Sequence, residues 1–132
     1  MHKGVYSIPC SCDKFYIDET GRSMKVRFKE HSADLTLNRI QKSALAAHSS
    51  KTSHHICLEN ANTIARVDHY ERIKVMESLE IELHPNNLNR DEGLKLNANW
   101  KPLLHMLKRY HYLFYHLTSW HTFGYKWINI YK

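Results

Sequence analysis

The stretch from Gly4 to His31, GVYSIPCSCDKFYIDETGRSMKVRFKEH, constrains this chain more than any other. Two short runs rich in β-branched and aromatic residues, KGVYSIP at 3–9 and KFYID at 14–18, flank a connection that carries Cys10 and Cys12. Loose apolar alternation on both sides of such a connection predicts a β-hairpin. Glu19-Thr20-Gly21 reads as a turn, and Ser23 is placed to cap a helix running to about Ser32, with Met24 and Phe28 as its buried i,i+4 pair. Arg27 and His31 are also four apart, so they share one helix face and could act on one ligand.

The remaining pattern supplies what a lone hairpin lacks. Thr36–Lys42 is a polar connection, Ser43–His48 a short helix with small apolar residues, and Ser49–His55 a polar loop containing His54 and His55. Asn62–Asp68 alternates and predicts a third strand. From about His69 to His84 the period is helical, ended by Pro85 and the Asn86-Asn87 turn. The expected class is therefore α/β in the broad sense, strictly α+β: a small three-stranded antiparallel sheet flanked by helices. With 132 residues the chain has room for one ordinary domain. We place that domain at 1–92, a packing segment that is strand or helix at 93–104, and an aromatic and basic tail at 105–132. That tail reads either as a terminal packing helix followed by irregular chain or as sequence never selected to fold, its composition being only weak evidence for nucleic-acid binding.

Charge excludes some classes and leaves others open. The net charge of +6 comes wholly from Lys95, Lys101, Lys108, Arg109, Lys126 and Lys132, because residues 1–92 hold 13 bases and 13 acids. Within that neutral part the charges are segregated: 22–51 carries seven Lys or Arg against Glu30 and Asp34. Such a basic face can hold phosphates, and it can equally be a solvated helix surface. The first residues, MHKGVYSI, lack the apolar run of a signal peptide, and no uncharged stretch reaches the roughly 18 residues of a membrane span. The expectation is an intracellular, nuclear or otherwise non-secreted protein with no membrane partner. Three cysteines, an odd number, argue against a disulfide framework. Cys10 and Cys12 read as metal ligands or loop residues, and Cys57 as a small core residue.

The long helix contains an anomaly. At 100° per residue Glu77 falls in the middle of the stripe made by Tyr70, Ile73 and Ile81. A carboxylate there destabilises the fold unless it is paired, protonated or metal-bound. It reads either as a rim glutamate paired with a Lys or Arg, or as a catalytic or metal-binding acid.

Gly4-Val5-Tyr6, Tyr16-Ile17-Asp18, Arg27 with His31, Glu77 and Asn89 together resemble, in order and approximate spacing, the GIY-YIG endonuclease superfamily, over about residues 3–90. Phrases such as GVYSIPC, ALAAH and EIELHPNN are similar to the GIY-YIG domains of retroelements, above all Penelope-like ones. The resemblance implies a nuclease-like fold and metal-dependent hydrolysis of a DNA phosphodiester, by nicking, with Mg²⁺ or Mn²⁺. Glu77 would ligate the ion, Arg27 would neutralise charge on the phosphate, and Asn89 would fix the phosphate or the site geometry. Tyr16, Tyr6 or His31 would orient and deprotonate water, a tyrosine needing for that a lowered pKa, which the nearby metal and arginine could supply. Arg22, Lys25 and Lys29 on the basic helix are the DNA-binding candidates. It also implies a zinc set of Cys10, Cys12, His48 and His54, with His55 as a substitute for His54. DNA is the implied partner, within or derived from a reverse transcriptase polyprotein.

One position departs from that pattern. Asp18 stands where the superfamily has glycine, adding bulk and negative charge beside the expected phosphate. Unless Arg22 or Lys25 pairs with it, Asp18 would repel DNA or join the metal shell. The alternative function is therefore a catalytically impaired relic that binds zinc and nucleic acid without cutting.

Overall fold

The computed structural model describes residues 3–90 and 93–106. The chain divides into two compact units, Met1–Lys95 and Leu96–Lys132, so the first extends three residues past the boundary expected at 92. In the first unit strand β1 (Gly4–Pro9) and strand β2 (Phe15–Thr20) form the hairpin, followed by helix α1 (Met24–Thr36) and helix α2 (Ala44–Thr52). A 3₁₀ turn (Leu58–Asn60), strand β3 (Asn62–Arg66) and helix α3 (Tyr70–Leu83) complete it. The sheet is antiparallel with order β2-β1-β3, which makes β1 the central strand. The fold is the expected α+β class.

Register places the chemistry. Tyr6 pairs with Asp18 and Ile8 with Tyr16, so these four share one sheet face by the two-residue alternation of strands. Tyr6, Ile8 and Cys10 from that side pack with Met24, Leu45 and Ile56 in one core cluster, against which Phe28 is partly buried. Val5, Ile17 and Phe15 are buried on alternate positions. Helix α3 packs along β2 and β1 with Ile73 buried, Lys74 paired with Glu19, and the His84 ring edge-on to Phe15.

Several boundaries differ from expectation, each for a local reason. Helix α1 runs to Thr36 rather than Ser32, and the buried Asp34 in its extra turn is held by Arg39 at 3.0 Å and Lys42 at 3.3 Å from the following loop. Ser23 caps this helix with extended backbone, though its hydroxyl makes no capping bond. Helix α2 continues one turn past His48, where the Thr52 hydroxyl donates to the His48 carbonyl and Ser53 closes the helix in left-handed backbone. Cys57 is half-buried rather than in the core, because its neighbour Ile56 takes the inward position, bridged to Cys10. On α3, Ile73 is buried and Ile81 half-buried but Tyr70 is exposed, so the stripe predicted around Glu77 is covered only in part.

In the second unit, residues 96–106 carry a 3₁₀ turn (Ala98–Trp100), capped by the Asn97 side chain, and a helical run at 101–106. No strand forms in 93–104. From residue 107 onward the expected tail lies outside the described residues. No helix among the described residues is long and apolar enough to cross a membrane.

Candidate functional site

Strand register and helix phase bring Tyr6, Asp18, Arg27 and His31 together. The Oδ2 atom of Asp18 accepts from the Tyr6 hydroxyl at 2.7 Å and from Arg27 Nε and Nη2 at 3.1 and 2.9 Å. His31 Nε2 lies 3.2 Å from the same oxygen and 2.7 Å from the Tyr6 hydroxyl. Because the Tyr6 proton goes to Asp18, the close His31 contact requires a proton on Nε2, donated to the tyrosine oxygen. The other carboxylate oxygen, Oδ1, accepts the Glu19 backbone N–H at 2.8 Å. Arg27 is oriented from behind by Glu30, whose carboxylate takes its Nη1 at 2.9 Å and the Arg22 Nη2 at 2.8 Å.

These contacts set the ionisation. Burial alone would raise the Asp18 carboxyl, but the bonds from His31, Arg27, Tyr6 and the Glu19 amide outweigh it and hold the group below the ordinary carboxylate range. Tyr6 is pushed far above the usual phenol range by burial, with the Asp18 charge adding to it. Tyr16 is raised as well, by burial first and then by Asp18, against the opposing Arg27. Among the described residues the surroundings of both phenols, buried beside a fixed carboxylate, favour the protonated form.

Among the three candidates for handling water, the structure distinguishes Tyr16. Tyr6 and His31 spend their polar atoms on each other and on Asp18. The Tyr16 ring meets the His31 ring edge-on at 5.6 Å, and its hydroxyl makes no hydrogen bond to any described residue. Glu77, half-buried on α3, likewise makes no hydrogen bond or ion pair with a described residue. Burial and the Asp18 charge push its carboxyl up to about 7, with Lys74 opposing. It acts on Asp18, Tyr16 and Arg27 through space without touching them.

Asn89 sits elsewhere in this arrangement. Its Oδ1 accepts the Ile17 N–H at 2.9 Å and its Nδ2 donates to the Ile17 carbonyl, so it clamps the outer edge of β2 instead of facing a phosphate. On α1, Lys25 and Lys29 are exposed and have no ion pair among the described residues, whereas Arg22 is committed to Glu30. Asp18 is neutralised by Arg27, not by Arg22 or Lys25: only Arg27 stands on the helix face that looks onto the Tyr6 and Asp18 side of the sheet. Glu30 was not read from the sequence as part of the site. Its i,i+3 spacing from Arg27 was the available signal.

The second cluster lies at the hairpin tip and the end of α2. The donor atoms of Cys10, Cys12, His48 and His54 all fall within 4.8 Å of one another, and the four could hold a metal ion such as zinc. His48 Nε2 is 3.4 Å from Cys12 Sγ and 3.3 Å from His54 Nδ1. Tetrahedral bonds of about 2.0–2.3 Å set ligand atoms roughly 3.3–3.8 Å apart, and the two separations from His48 fall in that range. His48 is held below its ordinary pKa by burial, with His54 and Lys14 adding, which keeps the imidazole neutral as a ligand must be. His54, not His55, joins this set; the His55 amide bonds the Ser11 hydroxyl, and its ring groups with Cys57 and Glu59.

No family model, curated protein or solved structure matches the chain.

Proposed function

We propose that the first unit is a metal-dependent DNA endonuclease domain of GIY-YIG type and retroelement origin, hydrolysing a phosphodiester to leave a nick. The observation that carries this reading is the convergence of Arg27, Tyr6 and His31 on a single anionic oxygen. Phosphoryl chemistry needs such a seat, because charge develops on the non-bridging oxygens and fixed donors stabilise it. Beside it Glu77 offers a carboxylate with no bonded partner among the described residues, the hard oxygen donor that Mg²⁺ or Mn²⁺ prefers. The ion would polarise the phosphate and stabilise the leaving oxygen. Arg27 would neutralise the phosphate, Tyr16 would orient the attacking water with its uncommitted hydroxyl, and Asn89 would act as a positioning residue through β2. Lys25 and Lys29 would hold the flanking backbone. At the second cluster, two thiolates and two imidazoles favour structural Zn²⁺, which would join the hairpin tip to α2.

A second reading is favoured by one observation. Arg27, which must meet the phosphate, is already neutralised by Asp18 at 2.9 Å, as expected for a zinc-binding module that holds nucleic acid without cutting it.

Nicking of supercoiled plasmid in Mg²⁺ or Mn²⁺ decides between them, comparing the unaltered protein with Glu77→Ala and Arg27→Ala. The endonuclease reading expects metal-dependent nicking that falls by about 10²-fold or more in each variant. No metal-dependent nicking, or equal nicking by all three proteins, overturns it.

A further inference from the structure

We propose that Asp18 is an internal anion that occupies the oxyanion seat of this domain, so that a phosphodiester binds Arg27, Tyr6 and His31 only in competition with the chain's own carboxylate. The inference rests on the endonuclease reading for its biological sense but not for its test.

The geometry is lopsided in a way that an ordinary ion pair is not. Three polar hydrogens, from the Tyr6 hydroxyl, Arg27 Nε and Arg27 Nη2, are directed at Oδ2 with His31 Nε2 lying 3.2 Å beside it, while Oδ1 receives one backbone amide. A carboxylate oxygen has about two lone pairs to offer. The donors are thus more numerous than one carboxylate oxygen can satisfy, and they converge from β1 and α1 rather than from β2. A phosphodiester carries the same single charge as Asp18, and its two non-bridging oxygens would spread those donors over more acceptors. The seat is also deep: the side chains of His31 and Asp18 are 3% and 11% exposed, and Arg27 is held by Glu30 in addition to Asp18. Glu30 holds Arg27 Nη1 independently of Asp18, so one anchor of the seat remains when the carboxylate is removed.

Tethering explains why the resident anion prevails. A carboxylate fixed on the neighbouring strand has an effective concentration far above that of any free phosphate. The unaltered chain therefore keeps the seat filled, and substrate must displace Asp18 from contacts it makes well. Loss of the carboxylate leaves Arg27 partly buried and unmatched by Asp18, which lowers stability and creates a demand for an external anion.

The test uses the full chain with Asp18→Gly and Asp18→Asn, and dimethyl phosphate as the probe for a backbone phosphodiester. Binding is read from the Arg27 Nε–H resonance and from the thermal midpoint. Both variants should bind the diester at least ten-fold more tightly than the unaltered chain, and their midpoints should rise with diester while that of the unaltered chain stays flat. Adding Arg27→Gln to Asp18→Gly should abolish the gain. A variant that folds only in the presence of the diester also supports the proposal. Variants that fold but gain no affinity, or that stay unfolded with and without diester, overturn it. A larger gain for inorganic phosphate than for dimethyl phosphate makes this a free-phosphate site and overturns the link to a nucleic-acid backbone. Plasmid nicking is scored separately: a binding gain without nicking by any variant sinks the endonuclease reading alone, and nicking without a binding gain sinks this proposal alone. Where both hold, Asp18→Gly nicks at least ten-fold faster than the unaltered chain.

Discussion

Asn89 closes both backbone groups of Ile17 across a separation of 72 residues, accepting from the N–H and donating to the C=O as a neighbouring strand would. The strand it completes is an edge strand, and Leu88 continues the contact by donating its N–H to the Phe15 carbonyl at 2.9 Å. An edge with unmet backbone groups frays or pairs with another chain, so this clamp fixes the strand that carries Tyr16 and Asp18.

Replacing Asn89 by alanine should therefore cost about 1–3 kcal/mol, the penalty for stripping a buried backbone group of its partner. Urea unfolding measures the loss, and amide exchange should accelerate at Ile17 more than at Ile8 on the central strand. Unchanged exchange at Ile17 would show that the clamp does not hold β2.

Gly4 has φ of 147°, and a Cβ there would lie 2.0 Å from the Ala65 carbonyl oxygen of β3. Neither the backbone conformation nor the space admits a side chain. Gly4→Ala should destabilise by on the order of 3–5 kcal/mol through displacement of β3. A thermal midpoint near that of the unaltered protein would contradict the close approach of β1 and β3.

Removal of metal should loosen the hairpin tip. We expect one equivalent of zinc after purification and a cobalt-substituted form with thiolate charge-transfer absorption. Cys12→Ser and His48→Ala should lose the metal, and chelation should lower the thermal midpoint of the unaltered protein. His55→Ala should keep its metal, since that ring lies outside the four-residue cluster. Retention by Cys12→Ser with loss in His55→Ala would reverse the assignment.

Glu80 supplies a pH dependence of known sign. Burial lifts its carboxyl from the ordinary 4.5 to about 7, and its side chain is 14% exposed beside His84. Below about 4.5 the group is protonated in both the folded and unfolded states and imposes no penalty. As pH rises from there through 7 the unfolded chain ionises first, so stability falls. Glu80→Gln should be more stable than the unaltered protein at pH 8, by on the order of 2 kcal/mol, and equal to it near pH 4. A constant difference across that window would assign the effect to packing.

The two tyrosines should separate structure from chemistry. Tyr6→Phe removes a buried donor from Asp18 and should cost about 1–3 kcal/mol of stability. Tyr16→Phe removes a hydroxyl with no described partner, so it should leave stability within about 0.5 kcal/mol. If Tyr16 orients the attacking water, that same variant should lower nicking by at least ten-fold. The reverse pattern in stability would exchange their places in the network.

What the sequence determined by itself is local. Alternation fixed the three strands within a residue or two, period fixed α3, and the i,i+4 spacing put Arg27 and His31 on one face, because strand and helix geometry are short-range. The set of Cys10, Cys12, His48 and His54 was implied only by the family resemblance, and it is the fold that brings the four donor atoms together. The tertiary structure decided everything that depends on which side chains meet. It gave Asp18 to Arg27, Tyr6 and His31 rather than to Arg22 or Lys25, set both phenols in buried surroundings that favour their protonated form, and turned Asn89 into a backbone clamp. Those outcomes follow from register and burial: a one-residue difference reverses a strand face, and a carboxylate's charge acts according to how much water is excluded around it. Neither quantity is written in the spacing of the residues.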